Sequence, residues 1–159
     1  MQVVFKYSLV EEVKTFYDFV FHYEKIRGLR SIVFPSPIAI IKTKINQRKC
    51  VQEVTGIWKM IRHRFDTAME ETSLDWKYGL VTAYIHTFRC EGWFNVLKNQ
   101  IHVRVTKSTK RNTAETIVHE LLHLITFNEH ASYREREDLV DKYIQMPAFK
   151  EMIMSVPEH

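Results

Sequence analysis

Two histidines and a glutamate lie together in the segment His119-Glu120-Leu-Leu-His123. If this segment is helical, its spacing places both imidazoles on one face and turns Glu120 about 100° away from His119. Imidazole nitrogen is a good ligand for Zn²⁺, and a neighbouring carboxylate that does not bind the ion can take the proton of an activated water molecule. The segment therefore predicts a zinc site with His119 and His123 as ligands and Glu120 as general base and then acid.

The residues around this segment predict a buried helix. Its apolar positions are Ile117, Val118, Leu121, Leu122, Leu124 and Ile125. Burying three ionisable groups in such surroundings costs free energy unless each has a partner, and a bound metal ion would provide a partner for all three. We expect Asn112 or Thr113 to cap the helix, with Glu115 completing a capping box. The alternative is an ordinary core helix whose histidines find hydrogen-bond partners.

A second helix is predicted downstream, where a third metal ligand is needed. A catalytic zinc site has three protein ligands and one open position. Ser132 and Glu135 have the spacing of a capping box, so the helix should begin at Tyr133. Glu135 should then hydrogen-bond the N-terminus of this helix instead of binding the metal.

Glu137 is the preferred third ligand because it lies one turn before Val140 on the apolar side of this second helix. Asp141, one turn further on, is predicted to hydrogen-bond a ligand imidazole. His130 is the alternative third ligand. If it does not bind the metal, either His130 or Tyr133 is a candidate for stabilising the oxyanion of the reaction.

Helices and strands that position the site can also be predicted. A helix is expected over residues 10–23, with Gly28 as its C-terminal cap, and a second over residues 51–69, backing a sheet. Strands are expected over residues 31–34, 38–45, 79–90, 93–97 and 101–106, with turns at 91–92 and 98–100. The last strand alternates apolar and polar residues, which predicts one buried face and one wet face.

Length and composition predict one globular domain over residues 1–159, in which residues 1–50 form an accessory layer. The chain has neither an apolar signal segment nor a transmembrane stretch, so a cytoplasmic protein without a membrane partner is expected. Cys50 and Cys90 are expected to be free buried thiols, since they form no metal-binding or redox pair. The net charge of +4 is compatible with weak attraction to nucleic acid.

The motif residues resemble the zincin metallopeptidases, in which uncharged positions surround His-Glu-x-x-His as they do here over residues 116–125. Glu137 and Asp141 resemble the glutamate helix of the gluzincin branch. The short chain, with a strand just before the motif helix, is most similar to the minigluzincins. The segment after the glutamate is also similar to that of ImmA/IrrE-type peptidases.

This resemblance implies an α+β zincin-like fold with a small mixed β-sheet, an edge strand over the active-site helix, a backing helix and a C-terminal glutamate helix. It implies hydrolysis of a protein or peptide substrate. Residues 101–106 would be the edge strand that pairs with the substrate, with His102 and Arg104 at its rim. Residues 146–159 would occupy the cleft in a latent form of the enzyme.

Two other functions remain open at this point. The basic charge and His130 suggest a zinc-dependent nucleic-acid-associated hydrolase or processing factor, whose nucleic-acid binding would depend on salt. A noncatalytic zinc-binding module is the other alternative. The three tryptophans are expected in the core, and the remaining histidines, His22, His63, His86, His102 and His159, are assigned no chemistry.

Overall fold

The computed structural model of this chain describes residues 2–22, 32–105 and 108–158. Helices and strands alternate irregularly in the described residues, which makes the fold α+β with a mixed sheet. In chain order the elements are β1 (Val3–Lys6), α1 (Leu9–Phe21), α2 (Pro37–Ile45), α3 (Gln47–Glu71), β2 (Val81–His86), β3 (Gly92–Asn95), a 3₁₀ turn (Val96–Lys98), β4 (Gln100–Arg104), α4 (Lys110–Ile125), α5 (Tyr133–Ile144) and α6 (Pro147–Met154).

The sheet has the strand order β1-β2-β4-β3. β2 is parallel to both β1 and β4, whereas β3 is antiparallel to β4. The short turn at Val96–Lys98 and the left-handed Asn99, with φ 50°, join β3 to β4 as a hairpin. The prediction that residues 101–106 form the edge strand is therefore wrong. β4 lies inside the sheet, and β3 is the edge strand near the motif helix.

Both faces of β4 are covered. Ile101 and Val103 face the main core, as the alternating pattern predicts, and are fully buried. His102 and Arg104 are only 6% and 3% exposed, so the predicted wet face and the rim position of these two residues are wrong. On the second face the rings of Tyr84 and Trp93 cover His102, and α1 supplies Glu12, which hydrogen-bonds His86 on the adjacent strand.

Residues 38–45 form a helix instead of the predicted strand. The Ser36 hydroxyl accepts a hydrogen bond from the Ala39 amide at 3.4 Å, which caps the first turn. Pro37 is the first helical residue, where its fixed φ and missing amide suit a helix start. The run of β-branched residues favoured a strand locally, but the Ser-Pro start determines the conformation.

The N-terminal predictions are met in part. α1 forms as expected and ends at Phe21, while Tyr23 and Gly28 lie outside the described residues. In place of the strand over residues 31–34, Val33 forms one isolated antiparallel bridge with Arg89, and Ser31 is not described. The predicted helix over residues 51–69 is confirmed as α3.

The motif helix α4 begins earlier than predicted. Thr109 is its N-cap and accepts a hydrogen bond from the Asn112 amide at 3.1 Å. The prediction that Asn112 or Thr113 caps the helix, with Glu115 in a capping box, is wrong. The capping box of α5 is confirmed: Glu135 accepts from the Ser132 amide at 2.7 Å and donates its own amide to the Ser132 hydroxyl at 3.3 Å.

The main core lies between the sheet and helices α3, α4 and α6. Ile61, Phe65, Ile117, Leu121 and Phe149 are fully buried in it. The C-terminal segment contributes Phe149, Met152, Ile153 and Val156 to this core. The hypothesis that this segment occupies the cleft is wrong for residues 146–158, since none of them lines the cavity that contains the motif residues.

Trp58 is buried in the core as predicted, and Trp76 packs against its edge. Cys50 and Cys90 are free thiols, of which Cys90 is buried and Cys50 is partly exposed. A bilayer-spanning helix is not found among the described residues, because none combines the required length with sufficient apolarity.

Candidate metal centre

Three predicted ligands meet at one point. The Nε2 atoms of His119 and His123 lie 3.0 Å apart. The Glu137 carboxylate approaches both, with Oε2 3.4 Å from His119 Nε2 and Oε1 3.1 Å from His123 Nε2. One donor atom from each residue lies within 4.8 Å of the other two, which is the spacing of a site for a single metal ion.

Packing of two helices and one strand holds these donors in place. α4 carries both histidines one turn apart, and α5 packs against it with Glu137 turned inward. On the other side, the Phe94 ring of β3 stacks on His123 with centroids 4.7 Å apart and an angle of 10°. His123 is only 3% exposed, while His119 opens to the cavity.

The electrostatics of the cluster couple the carboxylate to the imidazoles. Burial by itself raises the pKa of Glu137, but hydrogen bonds and charges from His119 and His123 outweigh it and hold that pKa far below its usual range. Burial lowers the pKa of His119, but Glu137, Glu120 and Asp141 outweigh burial, so this pKa is raised. Glu137 is therefore ionised at neutral pH, which is the state in which a carboxylate can bind a metal ion.

Glu120 lies beside the cluster and is not part of it. Its side chain faces the same cavity and is 5% exposed. Burial raises the pKa of Glu120 to about 8, with a smaller rise from Glu137 and an opposing effect of His119. A carboxyl group with a pKa near the working pH can take up and release a proton, as the sequence analysis predicts for this residue.

Gly92 lies where β3 closely approaches α4, and no role in the site was predicted for it. A Cβ atom at this position would lie 2.6 Å from Glu120 Oε1 and 2.7 Å from Thr116 Cγ2. No L-residue fits without moving the strand or the glutamate. The only local signal was a glycine in front of a predicted strand, which also marks ordinary turns.

We expect Gly92→Ala to lower the free energy of unfolding by about 1–3 kcal/mol because of this overpacking. It should also reduce any activity that depends on Glu120. Urea denaturation measures the stability effect, with Gly56→Ala as the control. A Cβ at Gly56, inside α3, meets nothing within 4 Å, so that change should stabilise the protein slightly. Equal stability of wild type and Gly92→Ala would contradict the packing described here.

The cavity above the cluster has a volume of about 670 Å³. Tyr133 lines it, and burial, followed by the charge of Glu137, raises the pKa of Tyr133 to about 12. Asp141 also lines the cavity. It acts on His119 through its charge, and in the described residues it makes no hydrogen bond to either ligand imidazole. Of the two candidates for stabilising an oxyanion, the structure brings only Tyr133 to the cavity.

His130 lies away from the cluster. Its side chain is 87% exposed and its Nε2 is 3.5 Å from Glu129. It borders a separate shallow depression next to Thr126 and Asn128. The structure therefore does not bring together His119, His123 and the alternative third ligand.

His86 and His102, for which no chemistry was predicted, form a buried network with Glu12. His86 Nδ1 is 2.7 Å from Glu12 Oε2, and His86 Nε2 is 2.8 Å from His102 Nδ1. Burial and then the charge of His86 lower the pKa of His102 to about 3. The His102 ring stacks on Trp93, which lines the cavity, with centroids 4.6 Å apart.

Comparison with known proteins adds no assignment to these residues. No family model matches the chain, and neither a curated protein nor a solved structure does. Any function assigned to His119, Glu120, His123 and Glu137 therefore rests on the geometry of these residues.

Proposed function

We propose that this chain is a zinc-dependent metallopeptidase in which His119, His123 and Glu137 bind Zn²⁺ and Glu120 is the general base and acid. The observation that carries the proposal is the convergence of three donor atoms within 4.8 Å of one another beneath an open cavity. The zincin-like fold expected from the sequence resemblance belongs to the same proposal.

The donor set fits zinc. Two imidazole nitrogens and one carboxylate oxygen are a ligand combination of catalytic zinc sites, which leave the fourth position for water or substrate. His119 lines the open cavity, through which water or a substrate can reach the site. When bound, the ion would lower the pKa of a water molecule and polarise a substrate carbonyl.

Glu120 and Tyr133 supply the proton chemistry of this proposal. Glu120 takes the proton of the attacking water and passes it to the leaving amine, for which a pKa near neutrality is suited. Because the pKa of Tyr133 is about 12, its phenol stays protonated and can donate a hydrogen bond to the oxyanion.

A peptide substrate is favoured by the edge strand β3. One edge of β3 pairs with β4, and no strand in the described residues pairs with the other. Gly92, Trp93 and Phe94 of this strand line the cavity next to the motif helix. An extended peptide can add to such an edge through main-chain hydrogen bonds, which places its carbonyl groups along the cavity.

Removal and restoration of zinc test the proposal. Purified protein is stripped with a chelator and incubated with a mixture of unstructured peptides, and new peptide ends are detected by mass spectrometry. We expect cleavage only after zinc is restored. Cleavage that survives chelation would refute the metal mechanism. A zinc-saturated protein that cleaves no peptide would instead indicate the noncatalytic zinc module.

A further inference from the structure

Arg89 follows β2 with a strained backbone. Its φ of 81° lies in the left-handed region, which long side chains rarely adopt. The conformation is held from two sides, since the Arg89 carbonyl accepts hydrogen bonds from the Val33 amide at 2.9 Å and from Arg104 Nη1 at 2.9 Å. Backbone strain that neighbours enforce in this way concentrates at functional sites.

The Arg89 guanidinium is fixed over an aromatic platform. Its Cζ lies 4.6 Å from the centroid of the Trp93 ring. Trp93 also stacks on His102, which the buried network with His86 and Glu12 immobilises. Arg89 and Trp93 both line the cavity of the proposed metal centre.

Three of the six carboxylates that line this cavity have a cationic partner, whereas Arg89 has no anionic one among the described residues. Glu91 lies 3.7 Å from Arg104, Asp138 lies 3.8 Å from Arg134, and Glu137 contacts the two ligand histidines. None of the ion pairs among the described residues involves Arg89, and its Nε atom is buried without a hydrogen-bond partner. No other arginine or lysine is found among the described residues that line the cavity.

We propose that Arg89 is a specificity residue of this site and binds a carboxylate of the substrate. This proposal rests on the proposed peptidase function and adds a substrate class to it. A guanidinium fixed on one face presents a planar set of N–H donors that matches a carboxylate in two parallel hydrogen bonds. The carboxylate is either the free C-terminus of a peptide or the side chain of an aspartate or glutamate near the scissile bond.

Peptide retention tests this role without depending on turnover. Zinc-loaded Glu120→Gln protein is immobilised and exposed to pools of acetylated hexapeptides that carry no other charged group and differ in one feature. One pool ends in a free carboxylate, one ends in an amide, and two amide pools carry a single Asp or Asn. Retained peptides are quantified by mass spectrometry. We expect at least one carboxylate pool to be enriched about tenfold or more over its neutral counterpart, as a charge-assisted hydrogen bond allows.

Substitutions of Arg89 separate recognition from folding. Arg89→Gln and Arg89→Asn are made in the same background, and both should abolish the enrichment. Asparagine tolerates the left-handed backbone, so Arg89→Asn should keep its zinc content and unfold at a denaturant concentration no lower than wild type. Arg62→Gln removes the same charge from the exposed face of α3, where Arg62 pairs with Asp66, and should retain the enrichment.

The outcomes distinguish the two proposals. The enriched pool identifies whether the C-terminal or the side-chain carboxylate is bound. Equal retention of acidic and neutral peptides, or equal loss with Arg62→Gln, overturns the role of Arg89 and leaves the peptidase proposal standing. Carboxylate-dependent retention that Arg89→Asn abolishes supports the role of Arg89, even if the protein with Glu120 restored cleaves no peptide and the peptidase proposal fails.

Discussion

Glu120→Gln is expected to lower the rate of peptide hydrolysis by about 10²–10⁴-fold while leaving bound zinc unchanged, because general acid–base catalysis contributes that much. The amide has nearly the same shape as the carboxyl group but cannot accept the proton. Glu120 is buried and does not contact the ion-binding point as a ligand, so metal affinity should not depend on its charge alone. Steady-state cleavage assays on zinc-loaded protein, with metal content measured on the same samples, check this prediction.

Glu115→Gln is the matched control, since Glu115 lies on the same helix and lines the same cavity. This substitution removes one negative charge from the cavity without touching the cluster. Its hydrolysis rate should stay within about threefold of wild type, as expected for a partly solvated charge. Equal losses in both variants would show that the total charge of the cavity matters, and would contradict a specific role of Glu120.

Glu137→Ala should weaken zinc binding by more than about 100-fold, because loss of a residue that merely supports a ligand already costs 10–100-fold. The reason is geometric: Glu137 is the one carboxylate that lies within reach of both ligand imidazoles in the described structure. Competition with a chromogenic chelator measures the affinity, and elemental analysis measures the stoichiometry. Hydrolysis should fall together with zinc occupancy.

His130→Ala serves as the comparison for Glu137→Ala. The His130 side chain is 87% exposed and lies outside the cavity, so its removal should leave zinc affinity unchanged. Zinc binding that survives Glu137→Ala but is lost in His130→Ala would replace the ligand set proposed here. Such a result would also reopen the hypothesis of a nucleic-acid-associated hydrolase.

The site could be predicted from sequence where its geometry is local. His119 and His123 are fixed relative to each other by one helical turn, and the capping box at Ser132 fixes where α5 begins. Given that start, the spacing of the apolar residues was enough to predict that Glu137 faces inward. The coarse α+β class followed from elements whose patterns are similarly local.

The remaining features depend on contacts between distant segments, which a single sequence does not encode in its spacing. His102 alternates with apolar residues as a solvent-facing residue would, but the rings of Tyr84 and Trp93 stack on it and His86, which pairs with Glu12 of α1, hydrogen-bonds it. The edge position predicted for residues 101–106 was wrong for the same reason, because the sequence pattern of β4 does not show that it pairs with both β2 and β3. Arg89 and Gly92 gave no distinctive signal, since their roles appear only when β3 lies against α4.

The hydrogen-bonded chain from Glu12 through His86 to His102 makes α1 a support of the cavity wall. Loss of the Glu12 carboxylate would leave His86 and His102 without their acidic partner and would weaken the support behind the Trp93 ring. The indole would then be free to tilt, and the guanidinium resting on it would swing with it. α1 therefore supports the proposed recognition surface, and loss of the Glu12 carboxylate should weaken substrate selectivity more than it disturbs the two helices that carry the proposed metal ligands.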